Sequence, residues 1–86
     1  MPELRLTRRA KQDLVELPGA VREAVFGSLA LIERDPEAIG KRLVGRMKGL
    51  WSAPVGNYRI LYTIARKEVI VRAIRHRAVA YRARKQ

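Results

Sequence analysis

Residues 55–64, "VGNYRILYTI", decide how the second half of this chain is read. Tyr58, Ile60, Tyr62 and Ile64 alternate, the two-residue period of a strand with one buried face. Gly56-Asn57 just before them is turn chemistry, because both residue types tolerate positive φ. The stretch therefore predicts a hairpin turn and the strand that leaves it. Arg59 stands near that turn, on the face opposite the tyrosines. A charge in that place asks for a reason.

Working outward, strands are expected over about 47–54, 58–65 and 69–75, joined at Gly56-Asn57 and through "ARKE" at 65–68. Upstream, residues 36–46 read as a basic connector containing Gly40 and Gly45. Before it, Val21, Val25, Leu29 and Ile32 recur at helical spacing, predicting a helix over about 20–34 that stops ahead of Pro36. Pro18-Gly19 separates this from a helix over about 8–17, capped by Thr7 and turning Ala10, Leu14 and Leu17 inward. "ELRLT" at 3–7 alternates Leu4 and Leu6 and reads as a short first strand. The basic tail "RHRAVAYRARKQ" can form a short helix.

That order, β-α-α-β-β-β, describes an α+β fold in a single domain over residues 1–86. The sheet is expected to be antiparallel throughout: three late strands form a meander with the first strand alongside, and the helical hairpin covers one face. If the apolar set of "VGNYRILYTI" meets the helices, Arg59, Leu61 and Thr63 occupy the partly open face.

Charge is distributed unevenly. Residues 1–37 hold six Lys/Arg against seven Asp/Glu, whereas residues 38–86 hold thirteen against the lone Glu68, a net of +12. Fourteen of the nineteen cations are arginines, whose planar forked donors match phosphate oxygens. The imbalance favours a polyanionic partner, a nucleic acid or an acidic protein. With no cysteine and one histidine, the chain offers neither a disulfide framework nor a thiolate or imidazole metal site. No apolar run approaches the ~20 residues of a membrane span, and "MPELRLTRRAKQD" lacks the apolar centre of a signal peptide, so a cytoplasmic location is expected.

The element order, the block "LVGRMKGLWSAPVGNYRILYTI" at 43–64 and the closing "HRAVAYR" together resemble the RelE/ParE superfamily of bacterial toxins. The resemblance spans nearly the whole chain and is most specific where Leu50-Trp51 is followed by Gly56-x-Tyr58-Arg59-x-x-Tyr62. It implies a metal-independent, cofactor-free endoribonuclease that cuts mRNA in the ribosomal decoding site. It also implies a cognate antitoxin, RelB-like and carrying acidic segments. RNA supplies its own nucleophile, the 2′-hydroxyl. The protein must position the strand, take a proton, stabilise the extra negative charge and protonate the leaving 5′-oxygen. No acidic pair is required, and residues 38–86 contain none.

By resemblance, Arg59 falls on the strand arginine that clamps the scissile phosphate. Arg77 matches a second phosphate contact that also assists the leaving group. Tyr81, four residues on, matches a general base or base-stacking partner; as a base it needs cationic neighbours such as Arg75, Arg77 and Arg82 to favour the phenolate. His76 is the only side chain whose ordinary pKa suits proton transfer near neutrality, with a structural hydrogen-bonding role as the alternative. Trp51, Tyr58 and Tyr62 read as core. The pattern departs at one point: where the best-known RelE-type site carries strand lysines, this chain has Ser52 and Pro54. Either Arg46 and Lys48 replace them, or catalysis is weaker or differently organised. Two other functions fit the fold class: a ParE-like inhibitor of DNA gyrase without nuclease chemistry, and a basic nucleic-acid-binding module without catalysis.

Overall fold

Helix starts and stops follow local chemistry. In the computed structural model, which describes residues 3–80, α1 (Arg8–Glu16) is capped by Thr7, whose Oγ1 accepts the Ala10 N–H at 3.1 Å. The carbonyls at its far end have no partner within the helix. Arg22 of α2 (Gly19–Arg34) supplies one: Nε donates to Leu14 at 3.1 Å, and Nη2 to Val15 at 3.3 Å and Leu17 at 2.9 Å. A guanidinium at a helix C-terminus also opposes the negative end of the dipole. One residue thus ties the start of α2 to the end of α1. Ala10, Leu17, Val25, Leu29 and Ile32 are buried, with Leu14 and Val21 packed beside them.

The expected connector at 36–46 has structure of its own. Pro36–Ile39 form one turn of helix, α3, and Lys41–Arg42 form β2. A 3₁₀ turn follows at Gly45–Met47, and positive φ at Gly45 (+68°) and Gly49 (+97°) lets the chain reverse before Trp51. The strand expected from about 47 consequently begins later, as β3 (Trp51–Val55). β4 (Tyr58–Ile64), β5 (Glu68–His76) and a short α4 (Arg77–Ala80) complete the described chain.

With β1 (Glu3–Leu6), the five strands lie in the order β1-β5-β4-β3-β2. Three pairings are antiparallel, but β1 runs parallel to β5, from Glu3 opposite Glu68 to Leu6 opposite Val71. This corrects the expectation of a wholly antiparallel sheet. No hairpin joins β1 to its neighbour; the intervening chain crosses over through helices, the connection a parallel pair requires. Ile60, Tyr62, Val69, Val71 and Ile74 meet the helices as one core, with Tyr58 and Ile64 at its margin.

Between β4 and β5 the register slips: Leu61 pairs with Ala73 but Tyr62 with Val71, leaving Arg72 as the extra residue of a β-bulge. The slip resets the alternation, so Val71 and Ile74, three residues apart, both face the core. Here β1 has ended, and α1 takes over the exposed flank. The Thr7 hydroxyl donates to the Arg72 carbonyl at 3.1 Å. Asp13 Oδ2 accepts the Ile74 N–H at 2.9 Å while Oδ1 holds Arg9 Nε at 3.1 Å. On the sheet's other face, α4 lies against β4 and β5. Leu61 and Ala80 are buried outside the helix-side core, so α4 covers part of the face expected to be partly open.

Candidate functional site

The bulge decides where the cations go. Ile60 and Ile74 point to the core, so their neighbours Arg59 and Arg75, directly paired across β4 and β5, project from the opposite face. Pro54 continues the row on β3. Like charges facing each other across a ladder repel. An anion held between them turns that penalty into binding.

Arg59 is held by the turn it follows. Its Nη1 donates to the carbonyls of Tyr58 at 2.9 Å and Gly56 at 3.2 Å. Gly56 carries φ +58° and Asn57 no positive φ, the pattern of a II′ turn with glycine first. Asn57 in turn accepts the Arg77 N–H at 2.7 Å. One tight turn therefore anchors both Arg59 and the first residue of α4.

Beside Arg59 opens a cleft of about 490 Å³ between the α3–β2 segment and the sheet. Ile39, Leu43, Ser52 and Pro54 line it together with Lys41. Among the described residues its charged lining is Lys41 and Arg59, both cationic. The segment over this cleft is pinned from below: the buried Tyr62 hydroxyl donates to the Pro36 carbonyl at 2.6 Å. Burial pushes the Tyr62 phenol up to about 12, and a hydrogen bond from the Gly40 backbone opposes this in part. A Cβ at Gly40 would collide with that hydroxyl. Tyr62 also stacks on Trp51, ring centroids 6.4 Å apart and planes 17° off parallel, with the Arg42 guanidinium 5.9 Å above the indole.

The remaining sequence-derived candidates divide. Arg75 joins Arg59, and Arg77 sits at the same turn. His76 pairs with Tyr58 and meets its ring edge-on at 5.3 Å, one face away from Arg59. His76 Nδ1 accepts the Ala78 N–H at 3.1 Å and so starts α4. Arg46 and Lys48 lie in the loop between β2 and β3; Lys48 borders a separate cleft with Arg42, Val44 and Gly45. Tyr81 and Arg82 lie outside the described residues. Sequence reasoning missed Lys41, although "GKRL" in a basic connector marked the place, and Arg72, whose Nε reaches Thr63 Oγ1 at 3.2 Å on the arginine face.

A family described as "ParE toxin of type II toxin-antitoxin system, parDE" matches residues 4–81. The chain belongs to this ParE toxin family. Among its relatives, this ParE-family toxin is 39% identical to Toxin RelG of Mycobacterium tuberculosis, over 92% of this chain and 94% of that one. It is 36% identical to Toxin RelE of the same organism, over 90% and 82%. The toxin–antitoxin complex RelBE2 from Mycobacterium tuberculosis contains a chain that superposes with TM-score 0.81 at 32% identity, covering 88% of this chain and 99% of that one. The isolated RelE toxin of E. coli shares the fold, with TM-score 0.75 over 100% of this chain and 88% of that one, at 22% identity. The protein is thus a type II toxin of the RelE/ParE superfamily. No helix among the described residues of this ParE-family toxin is long and apolar enough to cross a membrane.

Proposed function

We propose that this toxin is a ribosome-dependent endoribonuclease that cuts mRNA, acting in the cytoplasm. The observation that carries the reading is the Arg59–Arg75 pair, facing outward beside a cleft whose charged lining residues, among those described, are cations. A scissile phosphate between the two guanidiniums has its charge neutralised, and more strongly as the in-line attack of the 2′-hydroxyl adds a second negative charge. Arg77 serves the leaving 5′-oxygen. The base is Tyr81 rather than His76. His76 Nδ1 accepts the Ala78 N–H at 3.1 Å, a structural contact at the start of α4. His76 then acts by setting the start of α4, the element leading to Tyr81. Arg46, Lys48 and Arg82 add general attraction for RNA. The related chain of RelBE2 occurs in a complex with an antitoxin, and we assign this toxin a RelB-like partner whose acidic segments cover the basic face.

Single-turnover cleavage on programmed ribosomes tests the assignment. Arg59→Ala should slow the cut by about 10²–10³, the loss seen when one transition-state donor is removed, while ribosome affinity stays close to wild type. Tyr81→Phe should be nearly as damaging as Tyr81→Ala. Wild-type cleavage by both Arg59→Ala and Tyr81→Phe refutes the site. The family's description carries the ParE name, which favours gyrase inhibition as the second reading. It prevails if the purified toxin blocks supercoiling by gyrase and leaves translated mRNA intact in primer extension.

A further inference from the structure

We propose that Lys41 is the second phosphate-binding cation of the Arg59 cleft, and that the apolar wall of Ile39, Leu43 and Pro54 receives the nucleoside between the two contacted phosphates. This rests on the endoribonuclease reading above and extends it to the subsite. Lys41 pairs with Ser52, and Pro54 pairs with Arg59, so β3 lies between the two cations on one face of the sheet. Two strand spacings sideways and two residues along place the Cα atoms about 12 Å apart. Both residues line the cleft, and that separation leaves room for a phosphate at each and a sugar between. The cleft volume, about 490 Å³, lies in the roughly 300–1,000 Å³ range of small-ligand sites. Its lining has the chemistry of a nucleotide site, with cations at the ends and apolar surface between.

Lys41 supplies a charge that β3 itself lacks at this cleft. Ser52 and Pro54 are neutral, and Lys48 borders a different cleft. Lys41 delivers its charge to the same place from the neighbouring strand. Its position is fixed by its neighbour: Gly40 packs against the Tyr62 hydroxyl, which also holds Pro36.

Binding of a short single-stranded RNA, followed by anisotropy across a salt series, tests this without relying on cleavage. Lys41→Gln should weaken binding and flatten the slope of log K against log salt by about 0.7, one lost phosphate contact. The deficit against wild type should therefore shrink about 2.6-fold between 50 and 200 mM salt. Lys41→Arg should restore the slope. Lys11→Gln removes the same charge from exposed α1 and should change nothing. Should Lys41→Gln match Lys11→Gln in slope and affinity while wild type still cleaves and Arg59→Ala does not, the Lys41 subsite is overturned and the endoribonuclease reading survives. A wild-type toxin that neither binds RNA nor cleaves mRNA overturns both.

Discussion

Tyr62→Phe removes one oxygen and tests how the cleft is built. The side chain is 0% exposed, and its hydroxyl donates to the Pro36 carbonyl at 2.6 Å. Phenylalanine keeps the ring, so the stack on Trp51 and the core volume remain. What is lost is a buried hydrogen bond, and the Pro36 carbonyl is left without its donor. A buried polar group stranded in this way costs about 1–3 kcal/mol. For a chain of this size that is a fall in Tm of roughly 4–8 °C per kcal/mol. A second signature is in the pH dependence. The phenol is pushed from its ordinary 10 up to about 12 in the folded protein, so folding favours the protonated form. That contribution is fully present below about pH 10 and is lost as pH rises through about 12, two units being worth about 2.7 kcal/mol. Urea unfolding followed by Trp51 fluorescence should show wild type losing stability across that window and Tyr62→Phe losing less. Equal midpoints at pH 8, with identical alkaline profiles, refute the claim that this hydroxyl pins α3 and β2.

Other perturbations follow from the same contacts. Arg22→Met keeps the stem but removes three hydrogen bonds to the end of α1; it should cost about 1.5–3 kcal/mol in denaturant unfolding, and a variant as stable as wild type overturns the role of Arg22. Asp13→Ala strands the Ile74 N–H and should speed hydrogen exchange at Ile74 beyond any global change; unchanged protection counts against the flank contact. Gly40→Ala meets the Tyr62 hydroxyl, so its cost in urea should fall when combined with Tyr62→Phe; strict additivity denies that the two positions touch.

Local signals carried much of the fold. Val21, Val25, Leu29 and Ile32 sat at a clean helical period, and three are buried with the fourth at the core margin. Thr7 capped as hydroxyls do, and the faces of β4 followed from simple alternation. The sequence could not show what depends on distant partners. The direction of β1 is set by a strand some sixty residues away. The bulge at Arg72 breaks the very alternation by which faces are assigned. α3 and β2 are too short for any period and owe their place to the Tyr62 hydroxyl. The candidate site was legible at Arg59 because a charge interrupted an apolar strand. Lys41 was hidden because it is one cation among several in a basic segment. His76 read as a proton carrier by type; its contacts with the Tyr58 ring and the Ala78 N–H could not be read from the sequence.

The parallel pairing of β1 with β5 has a consequence in time. The β3–β4 hairpin joins neighbours in sequence and can form early, but β1 must wait for Glu68–Val71, and such long-range pairing slows folding. On a translating ribosome β5 emerges long after β1, at about 5–20 residues per second. Arg75 arrives with it, the partner that makes Arg59 half of a pair. A nascent chain therefore lacks the paired arginines until β5 has left the exit tunnel. The topology thus makes the pairing of the two arginines a late event in the folding of a nascent chain, some sixty residues after β1 has appeared.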